Sequence, residues 1–239
     1  MPKSIVVLGA RNLGGAIVDH FLGQGWQAGA VAQSDDTLEK VRGRGALALK
    51  ADAADPQQLS DALAEARSEL GSLDAVVNAV TAARPSRPGP FGGGELADAG
   101  LEDFRGWAVA VAEQAFVFLS TGAAALRDSG GDALIQITGG SARRAIPGKG
   151  MWAAGAFASR ALVQAAAQEL RHGGIHAALL VVDATIASPK MAPFTSEAPP
   201  NSLADMAEVA SAVEFLVRQG PQGMTHELVV TPAGERWIP

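Results

Sequence analysis

Short apolar runs alternate along this chain with longer stretches in which apolar residues recur every three or four positions. Residues 4–8 read as a strand and 13–22 as a helix. Residues 28–32 read as a strand, 35–42 as a helix and 46–50 as a strand. Pro56–Leu70 is amphipathic, with Leu59, Leu63 and Ala66 on one face, and 73–79 is a fourth strand. Such alternation predicts βαβ units, a parallel sheet with helices on both faces and right-handed crossovers. The expected architecture is a doubly wound α/β fold formed by one domain over residues 1–239.

The pattern continues with a long helix over 101–126, a strand at 133–138, an Ala-rich helix over 153–171 and a strand at 175–182. Ser202 is expected to cap a helix over 203–218, with Asp205 in its first turn, and 228–230 is the last strand. Two stretches break the rhythm. Residues 84–94 (RPSRPGPFGGG) read as a surface loop rather than a linker, because the alternation resumes after them. Residues 188–200, with four Pro, read as a variable loop or lid.

Composition narrows the picture. The chain has 239 residues, of which 48% are apolar and 18% charged, enough to bury a sizeable core. It contains no Cys, which excludes disulfides, thiol chemistry and Cys-based metal sites. A net charge of −6 argues against a nucleic-acid backbone as partner. The sparse basic residues Arg42, Arg44 and Lys50 read as a solvated face. The apolar run at residues 5–8 is too short for a signal peptide, and no stretch of about 20 uninterrupted apolar residues occurs. A cytoplasmic protein without a membrane partner is expected. His20, His172, His176 and His226 lack ligand spacing, so surface or turn roles and no metal are expected.

The first turn carries the clearest chemistry. It reads Val7-Leu8-Gly9-Ala10-Arg11-Asn12-Leu13-Gly14-Gly15-Ala16-Ile17. A Gly at the end of a first strand permits a tight turn, and Gly at the helix start lets backbone N–H groups approach a diphosphate. Asn12 tolerates left-handed backbone better than most residues.

Here the sequence resembles the short-chain dehydrogenase/reductase family. Its first turn is similar to the family's T-G-x-x-x-G-x-G shortened by one residue, with Asn12 and Gly14 in place of the second and third Gly. Ala51-Asp52-Ala53 resembles the acidic turn that holds the adenine. Residues 73–80 (LDAVVNAV) resemble the strand L-D-x-L-V-N-N-A-G, with Asn78 kept and Val80 replacing the Gly. Residues 136–141 (QITGGS) resemble N-I-S-S at a strand end, and 183–188 (DATIAS) resemble P-G-x-I-x-T. The resemblance spans nearly the whole chain in order. It implies a Rossmann-type sheet and a nicotinamide dinucleotide held by Gly9, Arg11, Asn12, Leu13, Gly14, Gln33, Ser34, Asp52, Ala53, Asn78, Ala79, Arg160 and Ile186. Gln33 and Ser34 stand where an acid would favour NAD, and Arg11 can meet a 2′-phosphate, so NADP is expected. Asp35 and Asp36 would repel that phosphate, which leaves NAD open.

The resemblance also implies a catalytic Tyr-x-x-x-Lys pair with a Ser and an Asn, yet the chain has no Tyr. Matching Ser159-Arg160 to the usual Ser-Lys puts Ala156 at the Tyr position and Arg160 at the Lys position. The Asn falls on or near Glu113, and Thr138 and Ser141 lie near the Ser. Ser141, Glu113 and Asp183 are candidates for a substitute acid. The leading expectation is an oxidoreductase of a small carbonyl or alcohol with a non-standard proton donor. The alternatives are a non-catalytic dinucleotide-binding sensor or structural subunit, and redox-neutral chemistry in the same cleft. Trp107, Trp152 and Trp237 are candidate pocket residues, Trp152 first among them. Small residues at 151–170 and Ala108, Ala110, Ala112 and Ala115 suit close helix pairing, and the resemblance implies a homodimer or homotetramer.

Overall fold

All five residues of the first strand, β1 (Ser4–Leu8), are buried, because a central parallel strand is covered on both faces. Its alternate side chains feed opposite layers: Ile5 and Val7 enter one core and Val6 and Leu8 the other. The structure is a computed structural model that describes residues 2–80, 89–189 and 191–235.

From β1 the chain runs through α1 (Leu13–Gly23), β2 (Gln27–Ala32), α2 (Asp35–Gly43), β3 (Leu47–Lys50), α3 (Pro56–Leu70) and β4 (Ala75–Asn78). It continues through α4 (Leu101–Phe104), a π turn (Arg105–Val109), α5 (Ala110–Ser129), β5 (Ala133–Gly139), α6 (Gly150–Leu170) and β6 (His176–Val182). The last elements are β7 (Thr185–Ile186), α7 (Ala192–Thr195), β8 (Leu203–Ala204), α8 (Met206–Val217) and β9 (Glu227–Val230). Seven strands form one parallel sheet in the order β3-β2-β1-β4-β5-β6-β9, with β7 and β8 as a separate parallel pair. The winding reverses between β1 and β4. In such sheets the crevice outside the carboxyl ends of the strands at the reversal is where ligands bind.

Most elements lie within a few residues of their expected places, and local chemistry explains several boundaries. Asp55 caps α3 by accepting from the N–H groups of Gln57 and Gln58 at 3.0 and 2.9 Å, Pro56 opens the helix, and Gly71 ends it at φ +76°. The expected helix over 203–218 begins three residues later. Asp205 caps α8 through Ala207 N and Glu208 N, which frees Leu203 and Ala204 to pair with Thr185 and Ile186. Ser202 instead donates to Pro199 O at 2.7 Å. The expected lid at 188–200 holds the short helix α7.

The helix expected over 101–126 runs to Ser129 and contains the π turn. Its residues 101–129 are long and apolar enough for a membrane span, but half of their most apolar 18 residues are buried, and the helix packs on α3 and α6. His176 departs from its expected surface or turn role. It is buried, with Nδ1 3.1 Å from Leu216 O and Nε2 2.9 Å from Thr225 O. His20 Nε2 lies 2.6 Å from Glu214 Oε2. Among the described residues no three metal-ligating side chains converge.

Candidate functional site

The first turn leaves backbone bare at the mouth of the crevice. Gly9 has φ +82°, and its N–H donates to Val31 O at 2.9 Å. A Cβ on Gly14 would fall 1.7 Å from Gly9 O, so no larger residue fits there. Asn12 occupies the N-cap of α1 but its side chain caps no N–H, and no acid stands in the first helical turn. Leu13 and Gly14 are buried beneath the turn and Arg11 is exposed. Uncapped amides, a helix N-terminus and missing Cβ atoms fit the diphosphate of a dinucleotide.

At the ends of β2 and β3, Gln33 and Ser34 are exposed and Ser34 Oγ donates to Thr37 Oγ1 at 2.8 Å. Lys50 Nζ lies 2.7 Å from Asp35 Oδ1, and that hydrogen bond and charge hold the Asp35 carboxyl below its ordinary value. One of the two acids expected to repel a phosphate is thus matched by a cation. Asp52 is folded into its own turn, accepting from Ala54 N at 2.9 Å, and Ala53 is buried.

Beneath the crevice three amides interlock. Asn78 Nδ2 donates to Gln114 Oε1 and to Gln136 Oε1, both at 2.8 Å, and Asn78 Oδ1 accepts from Val80 N at 3.1 Å. Ala79 N continues the ladder to Leu8 O at 3.0 Å. Gln114 corrects the expectation for Glu113, which is exposed on the outer face of α5 beside Phe116, Ala158 and Leu162. The π turn upstream adds one residue to the helical count, turning the helix before it by about 100° relative to the helix after it.

Where β5 ends, Gly140–Ala142 forms a single 3₁₀ turn that carries the half-buried Ser141. A Cβ on Gly140 would meet Asp183 Oδ1 at 1.8 Å, so the carboxylate fills the space a side chain would take. Asp183 is 5% exposed and lies 3.2 Å from Arg144 Nη2 through Oδ1, while its buried Oδ2 has no partner.

Arg160 is already engaged by a carboxylate. Its Nε and Nη2 grip Glu227 at 2.8 and 3.1 Å, and Arg143 Nη1 shares that carboxylate at 2.8 Å. Glu227 pairs with Leu179, three residues before Val182, where β6 ends beside Gly139. Three residues of strand put Glu227 roughly 10 Å below the carboxyl edge, while Arg160 Nη1 stays 3.5 Å from Ala142 O in the turn beyond β5. The residue in the first turn of α6, nearer the edge, is Trp152, and Ala156 one turn deeper is fully buried. Trp152 stands 6.1 Å from Trp107 and 5.2 Å from Phe91 between ring centroids. Trp237 and residues 84–88 of the expected loop at 84–94 lie outside the described residues. Ile186 sits in β7, beside the crevice end of β6.

A family profile described as enoyl-(acyl carrier protein) reductase matches residues 7–234. The chain belongs to the short-chain dehydrogenase/reductase family. No curated protein matches its sequence. Solved structures similar to this family member include an alcohol dehydrogenase from the archaeon Thermococcus sibiricus complexed with 5-hydroxy-NADP, at TM-score 0.78 and 20% identity over all of both chains. ElxO with NADP bound has TM-score 0.82 and 15% identity, covering 96% of this chain and 97% of its own. A short-chain dehydrogenase from Rhodopseudomonas palustris has TM-score 0.72 and 20% identity, covering 96% and 98%. At these identities the likeness establishes the fold. The chain contains no Tyr.

Proposed function

We propose that this chain binds NADP(H) in the crevice between β1 and β4 and uses it in an oxidoreductase reaction on a carbonyl or alcohol. The observation that carries the reading is the bare first turn, with Gly9 at φ +82° and no room for a Cβ on Gly14, at the point where the winding reverses. Gly9, Asn12, Leu13 and Gly14 hold the diphosphate through backbone N–H groups. Arg11, Gln33 and Ser34 take the 2′-phosphate, and Asp52 and Ala53 flank the adenine. Ala79 and Ile186 face the remaining ribose and the nicotinamide, above the buried side chain of Asn78. NADP is favoured because no acid stands at Gln33 or Ser34 and Lys50 engages Asp35. Two of the structurally similar proteins carry NADP or its 5-hydroxy derivative.

When bound, the nicotinamide supplies or accepts a hydride. The Ser141 hydroxyl, directly beyond β5, donates a hydrogen bond to the substrate oxygen. The proton that completes reduction reaches that oxygen through water, since the chain has no phenol. Asn78, Gln114 and Gln136 form a rigid, fully engaged floor. They hold the carboxyl ends of β4 and β5 in place.

A second reading, binding without turnover, is favoured by one fact: the residue matched to the cofactor-holding Lys, Arg160, is committed to Glu227. Fluorescence titration with NADPH and NADH, followed by absorbance of the reduced nicotinamide with a panel of ketones and aldehydes, separates the two. NADPH binding tighter than NADH is expected, with turnover that Ser141→Ala lowers by about 100-fold. Binding without turnover supports the second reading, and failure to bind either dinucleotide overturns both.

A further inference from the structure

The chain around Ser141 has a loose half and a fastened half. Gly139 and Gly140 precede it, and neither brings a side chain that could anchor the backbone. After it, Arg143 N and Arg144 N both donate to Gly140 O, at 2.9 and 3.1 Å, closing the turn on itself. Their side chains reach two different strands. Arg144 Nη2 lies 3.2 Å from Asp183 Oδ1, immediately beyond β6, and Arg143 Nη1 lies 2.8 Å from Glu227 Oε1, in the first residue of β9. Arg160 of α6 grips the same Glu227 and comes within 3.5 Å of Ala142 O.

Asp183 stands out among these groups. The sheet does not need its carboxylate, since Asp183 N already donates to Val230 O at 2.9 Å. Its side chain is 7% exposed, and a charge at that depth is costly unless paired. Among the described residues Arg144 is the one partner of the carboxylate, and the buried Oδ2 has none. Gly140 leaves open the space that Oδ1 fills: a Cβ there would meet it at 1.8 Å. The carboxylate therefore presses on the backbone of the residue just before Ser141. Water and salt screen so buried a group little, whereas the Arg143–Glu227 pair is part-exposed on both sides.

We propose that Asp183 is a positioning residue for Ser141: through Arg144, and by filling the gap at Gly140, it fixes the turn that presents the Ser141 hydroxyl. The inference rests on the oxidoreductase reading above for what Ser141 does, while the fixed turn itself requires no dinucleotide. Two glycines give the backbone before Ser141 many accessible conformations. The Asp183–Arg144 bridge selects one of them, with Arg143 and Arg160 on Glu227 as an outer tie. A hydroxyl already held in place donates to the substrate oxygen without first being ordered. Asp183 thus acts on the rate of turnover without touching substrate, and leaves binding alone.

The chain has no Cys, so Ser141→Cys supplies a single thiol for a nitroxide spin label. Its electron paramagnetic resonance spectrum, recorded alone and combined with Asp183→Asn or Arg144→Gln, reports the motion of the turn. Ser211→Cys, exposed on α8, carries the reference label. Either substitution should raise the mobile component at position 141 and leave position 211 unchanged. Both together should do no more than the stronger one, since they act through one contact. With Ser141 intact, Asp183→Asn should lower kcat on a ketone by about 10-fold to 100-fold, with KM and NADPH affinity unchanged. Arg144→Gln, at a part-exposed residue, carries the same comparison should Asp183→Asn fail to fold. A label at 141 that stays immobile, labels at 141 and 211 that loosen together, or a mobile turn with kcat unaltered overturns the proposal. A label loosened at 141 alone, in a chain that turns over no ketone, upholds the fixed turn and rejects the oxidoreductase reading.

Discussion

His176 shows how burial converts a residue's chemistry into pH dependence. Desolvation holds its ring below the ordinary value of 6.5, outweighing two carbonyl contacts that act in the other direction. Below pH 6.5 the unfolded chain takes up a proton that the folded chain still refuses. Stability is therefore full above that value, falls as pH drops through it, and stops falling once the folded ring also protonates. Thermal unfolding between pH 7.5 and 5 should show this loss, and His176→Gln should flatten it. A slope unchanged in the variant would assign the acid sensitivity to other groups. Asp183 makes the same point about packing. Its carboxylate occupies the space vacated at Gly140, a pairing of residues 43 positions apart in sequence.

Among the elements, boundaries were decided by which polar side chain reached the free N–H groups first. Pro56 and Asp55 made the start of α3 legible in the sequence, because capping is a local interaction. The start of α8 was misread because Ser202 and Asp205 are both good caps. Pairing of Leu203–Ala204 with Thr185–Ile186 favours the later one. Asp205→Ala should therefore cost about 1 kcal/mol, seen as a lowered denaturation midpoint. Ser202→Ala should cost much less, and equal costs would restore the earlier boundary. The π turn at Arg105–Val109 left no mark in the apolar spacing, and downstream of it Gln114 rather than Glu113 faces the crevice.

At the scale of the whole molecule, an apolar face stands uncovered. On the outside of α5 and α6, Phe116 (57% exposed) and Phe157 (41%) project among Ala112, Ala158, Ala161 and Ala165. Small residues there let a second copy approach closely, and we propose a dimer formed by these two helices. Light scattering at micromolar concentration should give a dimer or tetramer mass, and Phe116→Glu should lower it. A monomer in the parent chain would reject the proposal.

The order of strands and helices, the bare glycine turn and the absence of any Tyr were fixed within the sequence, since periodicity, turn chemistry and composition are properties of short segments or of counting. The tertiary structure alone decided which side chains share the crevice. It set Gln114 and Gln136 against Asn78, turned Glu113 outward, locked Arg160 to Glu227 and gathered Phe91, Trp107 and Trp152. Each of those outcomes depends on the rotation of a helix or the depth of a residue along a strand. A slip of one residue or one turn reverses such a placement while leaving the local pattern intact.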